Sequence, residues 1–453
     1  MKKILAMLLA LSMMVAMTAC GTGNKTNDGD KVTLRFASWA LGTPEQNNLE
    51  RQMIQAFEKA YPNIKIEIAE DIVDPWNDSL NTAASGKNLP DVALIAELPT
   101  AVANKWALDL STLAANDPEW KNVPESLVES GKYNGKLYGI PTAMSLAGFF
   151  VNTDYFEEAN VDTLEYGYTW EEFDDAVKKL HKPTEGKAAL RIVNDFVNFL
   201  PFVWDDNQGW YTYDGEKMTL NSKEFIKAVN TTKDYVNYSW VGLSEDQMAG
   251  IPNDYEAWRA GNTAIWYDGT WGCEGYVNPE TGLPYEVEFV GLADGKSVII
   301  PDYCFIASTT EHPQEAWEFV KFMFWGKQGI NTRMDLDAAD DGVSWSTLPL
   351  NMDEEIIERY FKNFPVKGVE EAFRGLNENG SVVEAFKFAP GYSNARWNGM
   401  TGITVGDAEL SMGAVIDKCI AGELSIEDYA EQLNTLANRF INEAKVAIDN
   451  ATK

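Results

Sequence analysis

The sequence predicts an α/β protein whose sheets are largely parallel. Short strand-like segments of alternating apolar residues take turns along the chain with helical segments that carry capping signals. No internal repeat at intervals of roughly 20–50 residues marks a solenoid or propeller. At about 150 residues per domain, a length of 453 residues suggests two or three domains.

The elements follow in order. Residues 31–37 alternate Val32, Leu34 and Phe36 with Thr33 and Arg35 and form the first strand. Thr43-Pro44-Glu45-Gln46 combines a capping-box Thr and Gln with Pro at the first helical position. A helix is therefore expected from Thr43, with Leu49, Met53, Phe57 and Ala60 on one face. Tyr61-Pro62-Asn63 stops it, and Ile64, Ile66 and Ile68 alternate as a second strand, completing a β-α-β unit. Residues 76–85 are a further helix and 91–95 a short buried strand. Asn134-Gly135, between Tyr133 and Leu137, marks a tight hairpin. Residues 148–152 are an apolar strand, and Thr169-Trp170-Glu171-Glu172 is a second capping box. Helices are expected over 224–238 and 254–260, strands over 263–267, 285–289 and 302–307, and helices again from Pro313 and Ser425. In open α/β sheets ligands sit beyond the carboxyl ends of strands. That rule singles out Trp39, Glu97 and Trp271, each of which follows a predicted strand.

Composition narrows the chemistry. The chain has 69 Asp and Glu, 37 Lys and Arg and a net charge of −32. Nucleic-acid binding and docking on anionic lipid through a polybasic patch both need a basic footprint that is absent here. Hydrophobic residues at 45% and charged residues at 23% are ordinary globular usage. With only 2 His, a three-His zinc site is impossible and histidine catalysis has little room. Neither His181 nor His312 sits in a nucleophile–base pattern, and no cofactor or metal is expected. Residues 291–297 place three residues between glycines where a phosphate loop needs four. Residues 335–342 lack a calcium loop's fifth and sixth positions and read as an acidic loop. Beyond Cys20, the odd set Cys273, Cys304 and Cys419 forms no CxxC; each reads as a small buried hydrophobe, with one disulfide left open. The surplus is aromatic: 15 Trp, 18 Tyr and 21 Phe hint at a neutral, flat-faced partner such as sugar.

The N-terminus reads as a secretory leader. Met1-Lys2-Lys3 precedes an uncharged run over residues 4–19, which is short for a membrane span of ~20 residues. Met17-Thr18-Ala19-Cys20-Gly21 resembles the lipobox of bacterial lipoproteins. Residues 1–19 are then a signal peptide, Cys20 carries the lipid, and residues 20–30 are a flexible tether to the extracellular face of the membrane. The alternative is an ordinary cleaved signal in which Cys20 is incidental.

Several segments occur together in a telling order: the Trp39 loop; Phe57-Glu58-Lys59-Ala60-Tyr61-Pro62-Asn63-Ile64; Leu89-Pro90-Asp91-Val92; Lys136-Leu137-Tyr138-Gly139-Ile140-Pro141; Phe150-Val151-Asn152-Thr153-Asp154-Tyr155-Phe156; Gly261-Asn262-Thr263-Ala264; Gly269-Thr270-Trp271; and His312-Pro313-Gln314-Glu315-Ala316-Trp317. In this the chain resembles the extracellular solute-binding proteins of bacterial ABC importers, in the sugar-binding group that includes maltose-binding protein. The match spans residues 31 to about 330 and is weak over 345–420. The resemblance implies a periplasmic-binding-protein-like fold of two lobes, each a mostly parallel sheet flanked by helices, that close on ligand about a hinge. Lobe one would take residues 31–143 and 294–345, and lobe two 147–291 and 346–453. Crossovers are implied near 141–148, 291–301 and 344–348. A monomer is expected, with importer permease subunits as partners.

Carried over by position, Trp271 resembles the aromatic platform under a sugar ring. Phe196 falls in a lobe-two loop that often supplies another ring, Glu97 in a lobe-one loop that often supplies a polar contact, and Trp39 at the first ligand loop. Trp397 matches a late aromatic contact. Ile95 stands where an aromatic would precede Glu97, so one stacking surface is missing or moved. Asp195 and Asp268 are candidate hydroxyl acceptors, with a cap or turn as the blander role, and Tyr303 lies near the second crossover. The chemistry supports such a set, because a sugar's C–H face needs flat aromatic area and its hydroxyls need fixed acceptors. Two other functions stay open: a secreted glycosidase using two carboxylates, and a receptor for a peptide or another small solute.

Overall fold

The computed structural model describes residues 31–248, 250–339 and 344–453; the leader, lipobox and tether expected over 1–30 lie outside the described residues. Nine strands form one sheet. In chain order they are β1 Val32–Ala37, β2 Ile64–Ile68, β3 Val92–Ile95, β4 Ile140–Asn152, β5 Ala188–Leu190, β6 Thr263–Gly269, β7 Val287–Gly291, β8 Ser297–Ile306 and β9 Ser381–Val383. The main path runs β2-β1-β3-β8-β4-β6-β5, with β9 beside β8 and β7 beside β4. Pairing is parallel in the outer blocks, β2-β1-β3 and β6-β5, as the β-α-β reading expects. The central strands β8 and β4 run antiparallel to their neighbours on that path.

The register of these two strands creates the feature that matters. Pro141 of β4 lies opposite Tyr303 of β8, which lies opposite Ile95 at the carboxyl end of β3. Further along, Ala147 of β4 lies opposite Gly269 at the carboxyl end of β6. Between these two levels the main path of the sheet narrows to β4 and β8. The six-residue span from Pro141 to Ala147 is about 20 Å long at ~3.3 Å per residue. The carboxyl ends of two parallel blocks thus face each other across a gap floored by two strands, and helices cover both blocks.

Both crossing strands are buried over most of their length, which is why their sequences are mostly apolar, with Thr142, Ser145 and Asp302 among the exceptions. Phe149 and Val151 enter the core that also holds Phe173, Phe196 and Leu433, while Phe150 enters the one that holds Phe57, Trp266 and Trp317. At Gly148 the approach is close. A Cβ there would fall 2.8 Å from Cα of Gly291 and 2.9 Å from the Phe289 ring.

Several expectations are corrected. The capping box at Thr43 forms, but it closes only a 3-10 turn, Pro44–Gln46. Asn47 adopts φ 39° and breaks the run, and the helix Leu49–Ala60 starts afresh with the Asn48 side chain accepting from Arg51 N. Asp335 to Ala339, read as part of an acidic loop, close the helix Lys327–Ala339. Residues 346–361, expected with the second lobe, pack on elements of the first: Met352 N donates to Asn122 O, Asn351 Nδ2 to Trp325 O, and Asp353 pairs with Lys327 at 3.2 Å. The helix Ile426–Thr452 starts in the second lobe's core at Ile426, Leu433 and Ala437. It ends against the first, with Ile448 among Trp106 and Tyr133 and Asp449 accepting from Asn134. Beside Met144, Leu348 forms a single bridge to β4. Cys273, Cys304 and Cys419 are buried free thiols.

Candidate functional site

The walls of the gap come from residues that follow strands. On the β3 side Glu97 immediately precedes the helix Leu98–Ala103 with its side chain free of any cap bond to it, and Trp39 opens a 3-10 turn one residue after β1. The Trp39 ring meets the edge of Trp76 at 5.3 Å, and Trp76 Nε1 donates to Leu94 O of β3. On the β6 side Trp271 follows Gly269 in the turn Thr270–Gly272. Its ring folds back over Gly269, where a Cβ would fall 2.1 Å from Cζ3, so this platform requires glycine beneath it. Trp397 lies in the turn Asn394–Asn398 and is braced by the edges of Phe386 at 5.2 Å and Tyr392 at 5.3 Å. Of the fifteen tryptophans, Trp39, Trp271 and Trp397 are the three that are exposed, at 40%, 44% and 39%. Large aromatic side chains left in water at strand ends point to a binding surface.

Carboxylates sit among these rings. Glu97 accepts from Ser393 Oγ at 3.0 Å, a bond between the Leu98–Ala103 wall and the turn that carries Trp397. Burial holds the Glu97 carboxyl above its usual value, partly offset by that bond and by the charge of Lys387. Asp195 keeps accessible area but has protein on most sides. Its carboxyl is also held high, by burial and by Asp268, against the pull of Arg396. Asp195 Oδ1 accepts from Asn198, whose own Oδ1 accepts from Arg396 Nε at 3.2 Å. The buried guanidinium, 4.6 Å above the Tyr211 ring, thereby ties the Asp195 loop to the residue preceding Trp397. Glu384 follows β9, and its backbone N–H donates to Ile299 O of β8, which sets it at the floor. Burial raises its carboxyl to about 7, with Asp302 and Asp195 adding to the shift and Lys387 opposing it. Lys387 pairs with Asp302 at 2.9 Å. Among the described residues no group of three His, Cys, Asp or Glu side chains is placed to hold a metal.

The chain matches the family model of the bacterial extracellular solute-binding proteins over residues 43–324, more than half its length. It belongs to that family. Among curated proteins it is 27% identical to the arabinooligosaccharide-binding protein of Bacillus subtilis, over 52% of this chain and 55% of that one, so it spans about half of that relative. It is 26% identical to an uncharacterised ABC-transporter extracellular-binding protein of Pyrococcus horikoshii, over 71% and 78%. Its fold is that of the sugar-binding protein MalE of Xanthomonas citri, with a TM-score of 0.70 at 15% identity over 92% of this chain and 99% of that one. An ABC substrate-binding protein of Listeria monocytogenes, solved in complex with cycloalternan, has a TM-score of 0.65 at 18% identity, over 91% and 100%.

Within this solute-binding protein, the eight residues singled out from sequence separate into groups. Trp39, Glu97, Trp271, Trp397 and Asp195 stand at the gap. Asp268 is close to Asp195, but its oxygens accept from Gly269 N and Tyr276 Oη, which is the turn-forming role. Phe196 is a correction. It opens the apolar helix Phe196–Trp204 with no exposed surface and packs on Phe149, Phe199 and Tyr235, so it is core. Tyr303 is another: it is fully buried, with its hydroxyl 2.5 Å from Ser130 Oγ. Sequence reasoning missed Glu384, Lys387, Ser393 and Arg396. The signal was the three-residue strand β9, too short to read by periodicity, which aligns Glu384 with the floor. Another cavity, of about 500 Å³, lies elsewhere, between the loop around Asn207–Glu216 and the end of the last helix. Its polar rings are already satisfied by the chain: Tyr133 by Phe388 O, Trp210 by Tyr392 and Tyr213 by Gly215 O. That leaves the gap as the better site.

The raised Glu384 carboxyl has a consequence for stability. Its charged form is disfavoured in the folded state, so its contribution is fully present below the unfolded value of about 4.3 and is lost as pH rises through about 7. Glu384→Gln is therefore expected to stabilise the protein by up to about 3 kcal/mol at pH 8 and by little at pH 4. Urea unfolding at both pH values measures this; an equal effect at the two would contradict it.

Proposed function

We propose that this protein binds a sugar, in oligosaccharide form, in the gap between the two strand-end walls. Closing about the two crossing strands, it presents that sugar to an ABC importer. The observation that carries the reading is the exposure of Trp39, Trp271 and Trp397 beside Glu97, Asp195 and Glu384. A pyranose or furanose ring lays its C–H face on an indole and directs hydroxyls to carboxylates, which accept charge-assisted hydrogen bonds. Carboxyls held high by burial are poorly solvated before the ligand arrives, so hydroxyl donors would replace missing water. The names of the relatives point the same way: one is called an arabinooligosaccharide-binding protein and another was solved with cycloalternan. Occupancy becomes readable to a transporter because only the closed form lets both walls touch the ligand, which is a population shift.

The mature chain would begin at Cys20, with a lipid on that residue holding the receptor at the outer face of the membrane. Among the described residues no helix is long and apolar enough to cross a membrane.

Two measurements test the reading. In a thermal-shift panel of glycans and peptides, at least one neutral oligosaccharide should raise the melting temperature, and Trp271→Ala should weaken its binding by at least about tenfold, the ~1.4 kcal/mol of one lost stacking platform. Shifts with peptides alone would refute it, and steady release of smaller sugars on long incubation would make the protein a glycosidase. For the anchor, Cys20→Ser should move the expressed protein from the membrane fraction to the medium; unchanged retention would rule out the lipid.

A further inference from the structure

Trp271 has a second neighbourhood. It borders a pocket of about 270 Å³ that is distinct from the carboxylate cluster around Glu384 and is lined by Trp345, Tyr360, Phe364, Glu274 and Asp337, among others. The pocket is small against the ~300–1,000 Å³ of sites that hold a whole drug-sized ligand. It is of a size for one ring unit.

Its walls come from both sides of the gap. Trp271 and Glu274 follow β6. Asp337 lies on the helix Lys327–Ala339 and Tyr360 on the helix Glu354–Phe361. Those two helices are fastened to the first lobe: Arg333 pairs with Glu50 on the helix Leu49–Ala60, and Lys327 pairs with Asp353. Whatever fills this pocket touches both lobes at once.

The lining is built for a ring with hydroxyls. Trp345 is held in place by its Nε1 donating to Thr347 Oγ1 at 2.9 Å and its backbone N–H donating to Asp337 Oδ1 at 2.8 Å. Its ring meets Tyr360 edge-on at 4.9 Å, and Tyr360 Oη donates to Thr347 O. Two braced aromatic side chains thus line the pocket together with Trp271. Around them are the carboxylates of Glu274 and Asp337 and the guanidinium of Arg359, which Asn331 and Asp335 hold. Asn363, exposed at the rim, offers an amide. Aromatic faces with carboxylate acceptors and amide and guanidinium donors repeat the chemistry of the main site, with Trp271 common to both.

We propose that the binding cleft continues past Trp271 into this pocket, which takes one further ring of the same oligosaccharide, so that the protein selects ligands by chain length. The inference rests on the sugar reading above. A glycan too short to reach Trp345 bridges the lobes only at the main site. One that reaches it adds a second bridge, and closure is favoured more strongly.

The test is titration calorimetry of the wild-type protein with arabino- and malto-oligosaccharides from the disaccharide to the hexasaccharide. Affinity should step up by about tenfold at one added unit. Trp345→Ala should remove that step and leave the shorter ligands' affinity unchanged. Asn363→Trp, which plugs the pocket from an exposed position and does not disturb the core, should do the same and serves if Trp345→Ala fails to fold. A step that survives the plugged pocket, no step at all, or equal weakening of short and long ligands would overturn the inference. Binding of no glycan by the wild type would overturn the sugar reading itself, and this inference with it.

Discussion

The structure depends on a single constraint of register. Two strands, β4 and β8, must run through the whole molecule while the parallel blocks on either side stop short. Tyr303 sits opposite both Pro141 and Ile95, and Ala147 sits opposite Gly269. Because side chains alternate along a strand, a slip of one residue would turn Phe149 and Val151 out of one core and Phe150 out of the other. Burial on both faces therefore fixes the register, and the register fixes the gap. Two strands joining two parallel blocks make a narrow connection, the kind about which domains hinge.

The gap then acquires its chemistry from general features of parallel sheets. Strands that end at the same level deliver their following loops to the same place. Here that brings Trp39 and Glu97 from one block and Trp271 from the other. The third contribution, Glu384 through Trp397, reaches the floor because β9 adds to β8 in parallel. Ser393 and Arg396 lock this segment to Glu97 and, through Asn198, to Asp195. The acid surplus of the whole chain has two faces. Most of it is a solvated exterior, while Glu97, Asp195 and Glu384 are held by their surroundings above their ordinary values.

Much of this was legible from residues alone. Alternation in 32–36 and 64–68, and the capping box at Thr169, mark elements that the structure contains. Trp39, Glu97 and Trp271 do follow strands, as expected, because a strand's end can be read locally. Phe196 misled because a loop position and the first turn of a buried helix look alike when the following residues, Val197 to Val203, are apolar except for Asn198. Glu384, Lys387 and Arg396 could not be read. Their roles come from long-range pairing of a three-residue strand, which leaves no periodic trace. The lobe boundaries also depend on tertiary contacts, such as Asn351 on Trp325 and Asn134 on Asp449, that no local pattern announces.

If the proposed sugar site is right, both walls of this gap meet one ligand. Amide hydrogen exchange with and without the tightest-binding oligosaccharide reads this out. Exchange should slow at residues 96–98, 269–272 and 384–397 together, with β2 and β5 at the sheet's outer edges unchanged. Slowing confined to one wall, or centred on the cavity at residues 207–216, would contradict it.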